Sequence, residues 1–127
     1  MIKCSPLISI KSSYNEFECF CKIEINKNQN KEFGSGFFIK LEKNKKPLYF
    51  LMTNEHIISK EIINKKGEIT IFYNNEEEKR LIQLNKERFI KDYSDINIDA
   101  TIVEILDKDN INKNYFISPK YYDNNFD

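Results

Sequence analysis

From Phe17 to Ile25 the chain alternates: Phe17, Cys19, Cys21, Ile23 and Ile25 share one side, and Glu18, Lys22 and Glu24 the other. A period of two marks a strand with one buried face. Similar short stretches recur, each cut off by polar residues. Strands are expected over 7–10, 17–25, 36–41, 48–53, 68–73, 80–84 and 98–106, with a further extended piece over 88–93. Turns are expected over 26–31, 42–47, 65–67 and 74–79, and a short turn or helix from His56 to near Asn64. Isoleucine, Phe and Tyr are plentiful while Gly and Ala are scarce, which disfavours long regular helices. Short strands at regular spacing predict an all-β domain, a small barrel or sandwich. Barrel closure would remove the exposed edges of so strand-rich a chain.

After Asp107 the pattern fails. Residues 109–114 are polar and irregular, and the tail from Tyr115 carries apolar patches without a period. The expected organisation is one domain over 1–106, followed by a linker over 107–127.

The 127 residues suffice for one domain with a real core, and a two-barrel enzyme needs more than roughly 200. Twenty Lys and Arg balance twenty Asp and Glu, which argues against the basic footprint of a nucleic-acid-binding protein. The excess of Lys and Asn reads as a compositional habit, and the acidic run 76–78 as solvated surface. No apolar run approaches the roughly 20 residues that cross a bilayer, and the polar run Lys11-Ser12-Ser13 interrupts any secretory signal, so a cytoplasmic chain with no membrane partner is expected. Cys4, Cys19 and Cys21 are odd in number, and Cys19 and Cys21 lie too close along one strand to bond each other. They read as reduced thiols; Cys-x-Cys with one distant His is poor zinc spacing, and no metal or cofactor is expected.

The residues that suggest chemistry are His56 and Asp99. His56, the single histidine, follows the apolar run Phe50-Leu51-Met52, and Asp99 heads the run Ala100-Thr101-Ile102-Val103. An imidazole near neutral pKa can take a proton from a hydroxyl and return it to a leaving group. A carboxylate on its other nitrogen fixes the tautomer and stabilises the imidazolium. Asp95 is a second candidate for that carboxylate. By spacing alone, a hydrogen-bonded structural His and a turn Asp are the commoner readings.

Three segments sharpen the choice. Gly34-Ser35-Gly36-Phe37-Phe38-Ile39 resembles the Gly-Ser-Gly-Phe-aliphatic strand of trypsin-like (chymotrypsin-fold) serine peptidases. Leu51-Met52-Thr53-Asn54-Glu55-His56-Ile57-Ile58 resembles their Leu-Thr-Asn-x-His-Val-Val segment, with Met52 as a departure. Asp99-Ala100-Thr101-Ile102-Val103 resembles the strand of their triad aspartate, in the family's order of His before Asp. The resemblance covers residues 5–106. It implies a small closed six-stranded antiparallel β-barrel, the N-terminal of two, with His56 as general base and Asp99 as its orienting partner. It also makes 107–127 an interdomain linker or the start of a second barrel.

The family's nucleophile is absent. Its serine sits in a Gly-rich turn downstream of the aspartate, whereas the three glycines here are Gly34, Gly36 and Gly67. Ser35 lies between two glycines but precedes the histidine, in the family's structural position; Ser94 and Ser118 have no glycine beside them. Without a serine no acyl-enzyme forms. The expected function is therefore a trypsin-like peptidase domain that is inactive alone. Its substrate would be a peptide or protein once a second barrel completes the site, and self-association through the exposed cleft face is expected. The alternatives are a non-catalytic barrel that holds a peptide or protein partner, and an unrelated small barrel in which His56 and Asp99 lie beyond hydrogen-bond reach.

Overall fold

The computed structural model describes residues 18–118; the strand expected over 7–10 and the chain beyond Ser118 lie outside the described residues. The strands are β1 (Phe20–Lys27), β2 (Asn30–Lys43), β3 (Lys46–Thr53), β4 (Glu68–Tyr73), β5 (Glu78–Gln83), β6 (Ile90–Asp92) and β7 (Thr101–Glu104), with one short helix, α1 (Lys60–Asn64). They form one antiparallel sheet in the order β5-β4-β1-β2-β3-β7-β6.

The alternation seen in the sequence becomes burial. In β1, Cys21, Ile23 and Ile25 are buried while Lys22 and Glu24 are not. The β1–β2 and β2–β3 hairpins close through two-residue loops, Asn28-Gln29 and Asn44-Lys45, with φ of 49°, 71°, 53° and 66°. Left-handed backbone at both loop residues matches the twist of the flanking strands. The strands therefore run further into the expected turns than their polar residues suggested.

The inward side chains converge on a single core that includes Ile23, Phe38, Leu51, Ile71, Ile82 and Val103, one or more from each of β1 to β5 and β7. Ile90 of β6 packs against it. Among the described residues no second sheet covers this face, so the sheet buries it by curling. The chain imposes the same bend. Its two edge strands, β5 and β6, are consecutive and joined by residues 84–89. Seven residue steps reach about 24 Å, whereas the edges of a flat seven-stranded sheet stand roughly 29 Å apart. Pairing with β4 and β7 runs on into this connection from both sides, from Leu84 N to Gly67 O at 2.8 Å and from Glu104 N to Phe89 O at 2.8 Å.

The expected closed six-stranded barrel is corrected on both counts: the sheet has seven strands and its ladder does not close. The cause is a corner at 85–88, where the Asn85 carboxamide accepts the Glu87 N–H at 3.0 Å. It divides one bent stretch into β5, which pairs with β4, and β6, which pairs with β7.

Residues 107–118 pack back onto the sheet. Asn110 O accepts Arg80 Nε of β5 at 3.1 Å, covering part of that edge. Ile111 and Phe116 join the core, and Ile117 bridges to Ile39. Arg88, at the corner, grips Asp109 through two bonds of 2.7 and 3.0 Å, with both side chains buried. The domain boundary expected after Leu106 lies upstream of all these contacts. Tyr115 and Phe116, expected in a linker without a period, sit in an aromatic group with Phe38, Tyr49 and Tyr73.

Candidate active site

His56 and Asp99 meet because β3 and β7 are neighbours with Thr53 opposite Thr101. Carrying that register two residues beyond the strands sets Glu55 opposite Asp99, with His56 one step further. Two buried threonines fix the ends: Thr53 Oγ1 donates to Ser35 O at 2.7 Å, and Thr101 Oγ1 donates to Ile58 O at 2.8 Å. The chain turns at once after β3, with Ile57 N and Ile58 N donating to Asn54 O at 3.1 and 3.2 Å. Ile58 then enters the core, and Ser59 caps α1 by accepting Ile62 N. Gly34 makes room for this turn, since a Cβ there would stand 2.6 Å from two carbons of Ile57.

His56 Nδ1 lies 3.0 Å from Asp99 Oδ2, and His56 N donates to Asp99 Oδ1 at 3.2 Å. Asn54 Nδ2 donates to Asp99 O at 3.3 Å and to Asp99 Oδ2 at 3.4 Å. Desolvation at the rim works against charge on Asp99. Hydrogen bonds from the His56 ring and from the backbone of His56 and Glu55 outweigh it, holding the carboxyl below its ordinary range. An ionised carboxylate only accepts, so the ring faces it with an Nδ1–H donor, and the neutral tautomer that fits this contact carries its lone pair on Nε2.

Asp95 does not reach this pair. It sits in the turn Ser94–Ile96 and bonds Lys60 Nζ at 2.8 Å. The expectation of a coincidental pair beyond hydrogen-bond reach does not match the 3.0 Å contact. Ser35 lies within β2 with its carbonyl bound by Thr53, and the Ser94 hydroxyl donates to Asp92. No described serine bonds His56. The site also stands open: the side chains of His56 and Asp99 are 66% and 54% exposed. Two hollows of about 500 and 520 Å³ lie elsewhere on the surface and contain neither residue. A smaller one of about 180 Å³, between Phe20, Phe37 and Met52, reaches Asn54.

Asn54 stands within the histidine segment of the sequence, where no local pattern marks it for a role. Arg88 and Asp109 carry no local signal either, because their partnership spans the fold. Among the described residues no group of three or more His, Cys, Asp or Glu could hold a metal ion, and no helix is long and apolar enough to cross a membrane. Comparison of the chain with protein-family models, with curated proteins and with solved structures finds no match.

Proposed function

We propose that this chain is the histidine–aspartate part of a trypsin-like serine peptidase, inactive as a separate polypeptide. The 3.0 Å contact between His56 Nδ1 and Asp99 carries the reading, reinforced by the His56 N–H on the second carboxylate oxygen. In this reading His56 Nε2 would take the proton of a serine hydroxyl as it attacks a peptide carbonyl, then deliver it to the leaving amine. Asp99 would stay ionised and stabilise the imidazolium. The serine and the oxyanion-hole donors would come from a second barrel. Ile96 and Ile98, exposed beside Asp99, offer apolar surface for it or for self-association.

Two measurements test this. The chain alone is expected to hydrolyse no peptide and to resist fluorophosphonate labelling; a labelled serine on it would overturn the reading. The intact mass of the endogenous protein decides the second part. A mass near 15.2 kDa would mean that any serine must come from another chain, and a mass about twice that would place it downstream on the same one.

The packing of 107–118 onto the sheet favours a second reading, a self-sufficient module that binds a peptide or protein without cleaving it. A monomer that melts cooperatively and binds no dye for apolar surface would support the module over the half-enzyme.

A further inference from the structure

We propose that Asn54 is a positioning residue for the His56–Asp99 pair, an inference that rests on the catalytic reading above. The ladder between β3 and β7 ends at Thr53 and Thr101, so both members of the pair lie beyond the last paired residues. Asp99 is exposed, and its side chain has alternative staggered rotamers that would turn the carboxylate away from the ring. Two features of Asn54 oppose that. Its backbone carbonyl accepts Ile57 N and Ile58 N, building the turn that carries His56. Its side-chain amide donates to both the carbonyl and Oδ2 of Asp99. One residue therefore ties the histidine turn to the aspartate it must face.

The chemistry selects an amide. Oδ1 is already taken by the His56 N–H, and Oδ2 is shared between the His56 ring and Asn54. An Asp at position 54 would present a second carboxylate and no N–H. An Ala would leave the backbone turn intact and remove the tether alone.

The single histidine makes the test unambiguous. Long-range 1H–15N spectra of the full chain, labelled at histidine and recorded near pH 8 where a free imidazole is neutral, report which ring nitrogen holds the proton. The wild type is expected to hold it on Nδ1. Asn54→Ala and Asn54→Asp are expected to lower the ratio of Nδ1–H to Nε2–H by about two- to tenfold, the range for loss of one modest hydrogen bond. Asn54→Gln, which keeps the donor, is expected to retain part of it. A wild-type ring without excess Nδ1–H would overturn the paired reading itself. A wild type with that excess and variants that match it would overturn only the role of Asn54. The variant chosen to keep shape, Asn54→Asp, guards against a mere packing effect.

Discussion

Gly34 shows how one missing methyl group holds the candidate site in place. Its φ is not positive, so its importance is space: an added Cβ would lie 2.6 Å from Ile57, beside His56. Gly34→Ala is expected to destabilise the fold by about 1–3 kcal/mol, the cost of overpacking. Trimming Ile57→Ala in the same chain should recover part of that, as read by urea denaturation of both variants. Asp99 gives a second expectation, with a sign. Its folded pKa is lowered, so its contacts stabilise fully above the ordinary carboxyl value of about 3.9 and are lost as pH falls through the folded value. The stability advantage of the wild type over Asp99→Asn should therefore shrink in melts at about pH 3 compared with about pH 6. Burial pushes the Cys21 thiol up to about 12, so it should resist thiol reagents in the native chain and react on unfolding. Asparagine also acquires a reason here. Among the described residues ten have positive φ; six of these are Asn28, Asn44, Asn74, Asn75, Asn97 and Asn110, and no glycine is among them. What read as compositional habit supplies the left-handed turn positions that glycine usually takes.

At the scale of elements, the corner between β5 and β6 is the decisive feature. Arg88 and Asp109 are 1% and 4% exposed, and Arg88 also donates to Glu104 O while Asp109 accepts Leu106 N. Removing one member leaves a buried charge unpaired, so Arg88→Met or Asp109→Asn is expected to cost roughly 3–5 kcal/mol, measured by chemical denaturation. Arg88→Lys should not rescue, because a single ammonium cannot reproduce the two-pronged grip. Neither residue was legible as a partner in the sequence. One sat in a stretch read as extended and the other in a stretch read as linker, and nothing local joins residues 21 apart. The hairpins were far more legible, since a polar turn between alternating runs is a local signal.

At the scale of the molecule, the sheet closes its core with the chain that follows its last strand. A chain ending at Leu106 loses Asp109, Ile111 and Phe116, and is expected to lose cooperative unfolding that a chain ending at Ser118 keeps; calorimetry of the two would decide it. The sequence by itself determined the β class, most strand and turn positions, and the choice of His56 and Asp99 as the residues to watch. Alternation, turn residues and short segments are properties of neighbours along the chain. Only the tertiary structure decided that the strands number seven and do not close into a ladder, and that 107–118 belongs with them. It also brought Asn54 onto Asp99, beside the direct contact with His56 for which the sequence already favoured Asp99 over Asp95. Those outcomes depend on register and curl, which bring together residues that no local pattern connects.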